Sequence, residues 1–425
     1  MYETLLHFIW KNRYFDQHDL QTINGDQLRI INTGIFNLDQ GPDFLMGRVL
    51  IDNQEWVGNI EIHVKTSDWN IHGHGNDNNY DNVILHVVWY NDISSFDLPV
   101  LELGSYVPSI LLEKYTIWMM NAKDIPCSND LKKRINYFND DAIDLLLNER
   151  IAQKSREIMQ NVIKHQHDWE EVFWHELARA FGYRVNADTF QLVAKSIPWK
   201  ILMKHRNSIH QLEALLMGQA NLLKDDFNDH YSVMLFKEYA FLKKKYDLKK
   251  VWSSVFYLRM RPRNFPTIRL AQLSAVLAAN GPIFPTIIGA EQLNDFKHFF
   301  DVSANDYWKD HYVFDIISPS CSKLLGGQIV NNIIVNVFMP FIYAYFKKKG
   351  DDQGIEKRLR WLKELLPEKN YKINQFINIG IKPKNAWESQ ALLQLKNDYC
   401  DKRKCLQCFL GKQLLGRPYR PIAAN

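Results

Sequence analysis

Carboxylates and imidazoles are concentrated in residues 41–88, where strand-like segments surround a polar loop. Carboxylate oxygens suit hard cations such as Mg²⁺, and imidazole nitrogens suit transition metals. Both ligand types at this density favour a metal site. The alternative is a half-buried sheet with a solvated polar face. The residues concerned are Asp43, Glu61, His63, Lys65, Asp68, His72, His74, Asp77, Asp81 and His86.

The pattern around these residues predicts a β-hairpin followed by a further strand. Residues 49–51 and 56–64 are rich in β-branched and aromatic residues, and the Asp-Asn pair between them is typical of a turn. Residues 83–89 predict a buried strand. The Gly- and Asn-rich residues 67–82 are expected to form a loop with one short helical turn at most.

Strand geometry predicts which side chains meet. Because side chains alternate along a strand, Glu61, His63 and Lys65 share one face of the second hairpin strand. Asp43, at the start of the preceding strand, is expected to point to the same place. The carboxylates of Asp43 and Glu61 should then be close enough to share one ion.

These residues resemble the motif of the PD-(D/E)XK nuclease superfamily, in which an Asp after Gly-Pro is followed by a hairpin and by acid-x-base. The resemblance covers about the first quarter of the chain. It implies that Asp43 and Glu61 hold Mg²⁺ or Mn²⁺ and that a lysine two residues after the acid helps to activate water. His63 stands at that lysine position, and Lys65 could take over its role. Glu3, in the predicted opening helix, would match an acid that some members carry.

The whole sequence also resembles a conserved bacterial family of proteins of about this length that has no defined activity. The family resemblance therefore implies no particular reaction, and the chemistry rests on the residues themselves.

Three further histidines lie near the motif in sequence. His72 and His74 could bind zinc or manganese, or they could simply hydrogen-bond to Asp77 or Asp81 in a loop. His86, in an apolar strand, could belong to the site or be a satisfied core histidine. Three functions stay open: a metal-dependent nuclease, a nucleic-acid-binding or scaffold protein on a degenerate nuclease core, and a His-ligated metal hydrolase of a small substrate.

Positive charge is concentrated later in the chain. Residues 1–125 hold 7 Lys and Arg against 17 Asp and Glu, and the remainder holds 45 against 31. Residues 243–269 carry nine cations with aromatic residues between them, a composition that favours nucleic-acid binding. The alternative is a solvated segment whose rings enter the core. The residues predicted to bind are Lys249, Lys250, Trp252, Arg259, Arg261 and Arg263.

A cysteine motif lies near the C-terminus. Cys400, Cys405 and Cys408 form C-x4-C-x2-C, a spacing that suits zinc or an iron–sulfur cluster. Such a centre needs a fourth ligand, and Cys127 or Cys321 would have to come from far away in sequence. The alternative is three cysteines at a helix end that are buried as small hydrophobic residues.

Length and periodicity predict an α+β protein. The 425 residues are expected to form an α/β nuclease-like domain over residues 1–120 and a basic, all-helical domain over residues 121–425. The longest apolar run, residues 333–346, predicts a buried helix and no membrane partner. Five cysteines and an N-terminus without a signal-peptide pattern favour a cytoplasmic protein.

Overall fold

The computed structural model describes residues 2–121 and 123–416, which form two compact units. One unit takes in the described residues up to 142 together with those from 395 onward, and the other is residues 143–394. The sequence had placed the boundary after residue 120. Hydrogen bonds join the last segment to the rest of the first unit; for example, the Lys114 ammonium donates to the Leu414 carbonyl at 3.2 Å.

The two sheets contain eight strands in the described residues. Six belong to the first unit and two form a small hairpin in the second. The strands are β1 (Leu28–Asn32), β2 (Ile35–Phe36), β3 (Phe44–Ile51), β4 (Gln54–Lys65), β5 (Val83–Tyr90), β6 (Val100–Glu102), β7 (His311–Val313) and β8 (Ile316–Ile317).

Helices fill the rest of both units, and short 3-10 or π segments join several of them. In chain order the α-helices are α1 (Glu3–Asn12), α2 (Asp68–Ile71), α3 (Ser109–Met120), α4 (Ser128–Lys133), α5 (Asp140–Lys164), α6 (Trp169–Phe181), α7 (Ala187–Ser196), α8 (Trp199–Lys204), α9 (Ile209–Gln219), α10 (His230–Lys245), α11 (Pro266–Asn280), α12 (Ile283–Gly289), α13 (Leu293–His298), α14 (Gly327–Ile333), α15 (Met339–Lys349), α16 (Asp352–Leu359), α17 (Tyr371–Asn378), α18 (Ala386–Gln394) and α19 (Phe409–Gly416).

A mixed sheet with the strand order β1-β3-β4-β5-β6 forms the centre of the first unit, and β2 pairs with β3. The β3–β4 pair is antiparallel, whereas β4–β5 and β5–β6 are parallel. The hairpin turn lies at Asp52 and Asn53, which both adopt positive φ, as a tight turn between twisted strands requires. Helix α1 lies against β4 and buries its apolar side there. The predicted α+β architecture is therefore confirmed.

The second unit is mostly helical, and the prediction of an all-helical domain needs one correction. Strands β7 and β8 form a short hairpin. Its turn contains Asp315 at φ 61°, and the flanking residues are largely β-branched or aromatic. This local composition favours a strand pair over a helix.

One continuous helical segment, residues 327–349, contains the long apolar run. Among the described residues, this segment is long and apolar enough to cross a membrane. The bent pair of helices α11 and α12 would also be long and apolar enough if the two helices were taken as one span. However, 72% of the apolar window in residues 327–349 is buried inside the protein. It therefore has the burial of a core helix, as the sequence predicted, although the helix extends beyond the predicted 14-residue run.

Candidate functional site

The register of the β3–β4 hairpin places Asp43 beside Glu61. Phe44 pairs with Ile60, so Asp43 lies next to Glu61 just beyond the end of the ladder. The Asp43 backbone N–H donates to Glu61 Oε2 at 3.0 Å, and the Ile62 N–H donates to Asp43 Oδ2 at 3.1 Å. The two carboxyl groups therefore lie at one place on the sheet.

Two imidazoles lie beside the other oxygen of Glu61, and a third imidazole lies next to them. Glu61 Oε1 lies 3.5 Å from His63 Nε2 and 3.4 Å from His74 Nε2. His72 Nδ1 lies 3.0 Å from His63 Nε2, and the three histidines bring ligand atoms within 4.8 Å of one another. In the described part of the chain, His74 Nε2 is buried without a hydrogen-bond partner. We call Asp43, Glu61, His63, His72 and His74 the histidine–carboxylate cluster.

His86 lies behind the cluster and does not face Glu61. Its Nε2 atom is 2.9 Å from His63 Nδ1, the nitrogen of His63 that points away from Glu61. A partner at this position fixes the ring orientation and tautomer of the histidine that it contacts. Tyr80 stacks on His74 with ring centroids 3.9 Å apart, and Trp69 packs edge-on against His74 and at a tilt against His86. The rings thus form one wall of the cluster.

Helix α1 contributes an acid and a histidine to the same place. His7 Nε2 lies 3.0 Å from Asp43 Oδ2. Glu3 lies one turn earlier, and its pKa is raised by burial and then by the negative charge of Asp43. Sequence reasoning found Glu3 but missed His7. The signal was present, because residues i and i+4 share one face of a helix.

Burial governs the charges in the cluster. Burial, and after it the negative charge of the neighbouring Asp43, raise the pKa of Glu61 to about 8. Burial followed by repulsion from the other imidazoles lowers the pKa of His63 to about 2, and burial lowers those of His86, to about 3, and His74. At neutral pH, Glu61 is therefore mainly protonated and these imidazoles are neutral. Neutral imidazole is the form that ligates metals.

Lys65 is not brought to the cluster. It lies at the exposed end of β4. The pKa of Asp92 is lowered first by a hydrogen bond from Ser67, and the positive charge of Lys65 contributes to the same shift. Of the three residues predicted to share a strand face, Glu61 and His63 join the cluster, whereas the Lys65 charge acts on Asp92.

The predicted nucleic-acid-binding residues lie in the second unit, in the segment between α10 and α11, and all six are exposed. Trp252 is 87% exposed, so it is not a core residue. The Lys250 ammonium lies 4.6 Å from the Trp252 ring centroid. The Asn221 amide donates to the Val251 carbonyl at 2.8 Å, which fixes the backbone next to Trp252. We call this exposed set the basic surface: Lys249, Lys250, Trp252, Arg259, Arg261 and Arg263.

The three C-terminal cysteines lie in the first unit. Cys400, Cys405 and Cys408 line one small pocket, and Cys127 lines the same pocket. Cys321 belongs to the second unit, where its thiol contacts the Lys323 ammonium. Of the two cysteines considered as a fourth ligand, the structure therefore brings Cys127 to the C-terminal motif.

The chain belongs to the family described as "Protein of unknown function (DUF2851)", whose model matches residues 3–371. No curated protein and no solved structure matches the chain. The matched region includes the histidine–carboxylate cluster and the basic surface and ends before the C-terminal cysteines. The family description gives no reaction, so a function must be argued from the geometry of the sites.

Proposed function

We propose that this protein is a metal-dependent phosphodiesterase that acts on nucleic acid. The observation that carries the proposal is that ligand nitrogens of His63, His72 and His74 lie within 4.8 Å of one another. Glu61 Oε1 lies 3.5 Å from His63 Nε2 and 3.4 Å from His74 Nε2, and the carboxyl group of Asp43 is next to Glu61. A site that is lined by imidazole nitrogens and carboxylate oxygens suits a divalent cation. The orphaned nitrogen of His74 supports the same assignment, because a buried polar atom without a partner is costly unless something binds it.

The donor set favours Mn²⁺ over Mg²⁺ as the preferred ion. Mg²⁺ prefers oxygen ligands and keeps several waters, whereas imidazole suits transition metals. Glu61, His63, His72 and His74 would hold the ion, and Asp43 lies close enough to add a second carboxylate. A bound ion would polarise a phosphoryl oxygen and lower the pKa of a water ligand.

The protein's own residues orient Asp43 for a role in proton transfer. The Ile62 N–H donates to Asp43 Oδ2 at 3.1 Å, which fixes the direction of the carboxylate. His7 Nε2 lies 3.0 Å from the same oxygen but makes no hydrogen bond within the described residues. Hydrolysis requires that a water molecule lose a proton as it attacks, and a carboxylate or imidazole positioned beside the reacting atoms can accept it. Asp43 provides such a carboxylate, and His7 provides such an imidazole.

The basic surface supports nucleic acid as the substrate class. Its cations are exposed, Lys249 pairs with Asp247 at 2.7 Å, and Trp252 offers a ring face for stacking on a base. Because stacking needs unpaired bases, single-stranded nucleic acid is the preferred form in this proposal. The pairing of Lys250 with the Trp252 ring keeps a cation next to that stacking face.

A second candidate function is hydrolysis of a small substrate at zinc. Three histidines with nearby ligand atoms are the protein ligand set of some catalytic zinc sites. This alternative does not require the basic surface. A third, binding of nucleic acid without cleavage, requires that surface and no ion.

One set of assays separates the three functions. The purified full chain would be incubated with labelled single- and double-stranded DNA and RNA, and with small phosphate and carboxylate esters. Parallel reactions would contain Mn²⁺, Mg²⁺, Zn²⁺ or EDTA. We expect cleavage of nucleic acid that EDTA abolishes and that is faster with Mn²⁺ than with Mg²⁺. Hydrolysis of small esters alone, with Zn²⁺, would favour the second candidate, and tight binding without cleavage would favour the third.

A matched pair of variants assigns the activity to the cluster. His74→Gln removes a buried ligand atom, whereas His298→Gln removes an exposed histidine in the second unit. Titration calorimetry with MnCl₂ should show one site in the wild type and in His298→Gln, and a loss of affinity in His74→Gln. Equal Mn²⁺ binding by the two variants would contradict the assigned site.

A further inference from the structure

Four buried cysteines from two distant parts of the chain surround one small pocket in the first unit. Cys127 immediately precedes α4, and Cys400 is the last residue of the π-helix Leu395–Cys400. Cys405 and Cys408 lie in the turn before α19. All four side chains are 6–8% exposed, all line the same pocket, and none of the four forms a disulfide. We call this site the cysteine pocket.

Hydrogen bonds from one arginine hold the two parts of the cysteine pocket together. Arg403, in the turn between Cys400 and Cys405, donates to the Trp118 carbonyl at 2.9 Å and to the Asn121 carbonyl at 2.7 Å. The Asn121 amide in turn donates to the Pro126 carbonyl at 2.8 Å, next to Cys127. The end of α3, the loop that carries Cys127 and the C-terminal turn are therefore linked directly.

The remaining walls of the cysteine pocket are mostly apolar. Gly411, in α19, has no side chain to keep the helix away from the turn, since a Cβ there would collide with the Cys405 carbonyl oxygen. The helix therefore lies directly on the turn. The other apolar side chains that line the pocket are Ile125, Leu131, Leu395 and Leu410.

The thiols affect one another's charge. Burial, together with other thiols of the pocket, raises the pKa of Cys127 and Cys400 and raises that of Cys405 to about 12. Two cations act in the opposite direction, Lys396 on Cys400 and Arg403 on Cys405. Four ionised sulfurs would repel one another unless a cationic centre lay between them, and nearby Lys and Arg groups would offset the remaining negative charge.

We propose that the four cysteines of the pocket together ligate one iron–sulfur cluster. Four thiolates are the ligand set of such clusters and also of structural zinc sites. Thiolates on one zinc ion lie about 3.8 Å apart, because four Zn–S bonds of about 2.3 Å form a tetrahedron. Among the described residues, only the three histidines of the other site place three candidate ligand atoms within 4.8 Å of one another. The sulfurs are thus more widely spaced than zinc requires, which favours a cluster.

The decisive measurement uses the wild-type full chain, expressed with added iron and purified without oxygen. We expect about two or four iron atoms per chain with an equal amount of acid-labile sulfide, and the broad visible absorption of thiolate-ligated iron. X-ray absorption at the iron edge should show sulfur as the only ligand. One zinc per chain without iron would overturn the cluster and retain the four-thiolate site. Absence of both metals would overturn the whole proposal.

Serine substitutions then test the ligand set, with a control inside the same chain. Cys127→Ser should lose most of the iron and the visible absorption, because it removes the ligand contributed by the distant segment. Cys321→Ser changes the cysteine outside the pocket and should keep both. Full iron content in Cys127→Ser would overturn its assignment as a ligand. The wild-type measurements remain decisive if Cys127→Ser does not fold.

Discussion

The histidine–carboxylate cluster and the basic surface differ in how they are built. The cluster combines residues from the start of β3, from β4 and from the loop that follows β4, with His7 of α1 beside them. Its central groups are buried. The basic surface comes from one continuous segment, and its side chains are exposed. Electrostatic interactions are strong and poorly screened in a buried site, whereas salt screens them at an exposed one.

This contrast predicts two kinds of response. Substitution of a buried ligand should remove nearly all of an activity. Substitution on the exposed surface should weaken binding by degrees and in a salt-dependent way.

The largest effect is expected for the two acids of the cluster. Asp43→Ala or Glu61→Ala should reduce metal-dependent cleavage by at least about 100-fold, the scale on which an enzyme loses a group that stabilises developing charge. Initial rates with Mn²⁺ would measure this, and thermal melts would show that the fold persists. Asp39→Ala, at an exposed carboxylate nearby, is the matched control. Wild-type rates in both acid variants would remove the catalytic role of the cluster.

The basic surface should respond through its salt dependence. If Arg259, Arg261 and Arg263 contact phosphates, changing all three to Ala should weaken binding to many sequences alike. It should also flatten the plot of log affinity against log salt by up to about one unit per lost contact. Fluorescence anisotropy over a salt series gives both quantities. An unaltered slope and affinity would show that nucleic acid binds elsewhere.

Substitutions at Trp252 distinguish stacking on a base from simple charge attraction. Trp252→Ala should weaken single-strand binding by about 1–3 kcal/mol if the ring stacks on a base. Because the ring is exposed, the melting temperature should change little. Trp252→Phe is the control that keeps a ring and should retain most of the affinity. Weaker binding to double and single strands by the same factor would argue against stacking.

The protonation of Glu61 predicts how metal affinity depends on pH. The pKa of Glu61 is raised to about 8, so below that pH an ion must displace a proton. Affinity for Mn²⁺ should therefore rise by about tenfold per pH unit up to about pH 8 and then level off. His63, whose pKa is lowered to about 2, adds no proton competition in this range. Calorimetry from pH 6 to 9 would test this, and Glu61→Gln should bind more weakly with a flatter profile.

The smallest effect is expected for Lys65. Its side chain is exposed and its charge acts on Asp92 rather than on the cluster. Lys65→Ala should lower the cleavage rate by less than about threefold, within the range of an exposed charge contribution. A loss comparable to that of the acid variants would instead place Lys65 at the reacting phosphate, and the contrast between buried and exposed groups would fail there.

Local patterns in the sequence predicted much of the first unit. The alternation of apolar and polar residues identified β4, and the Asp-Asn pair identified its hairpin turn. Period two placed Glu61 and His63 on one face. These predictions succeeded because backbone conformation and side-chain direction in a strand are set by neighbouring residues. The same local logic identified the C-x4-C-x2-C motif.

Other features depended on contacts between distant residues. Only the fold showed that His7 of α1 reaches Asp43, that Lys65 stays outside the cluster and that Trp252 is exposed. It also brought Cys127 rather than Cys321 to the C-terminal cysteines. A local pattern fixes the face on which a side chain lies. Burial and long-range partners depend on how whole elements pack, and hydrophobic packing is non-directional and does not appear in local spacing.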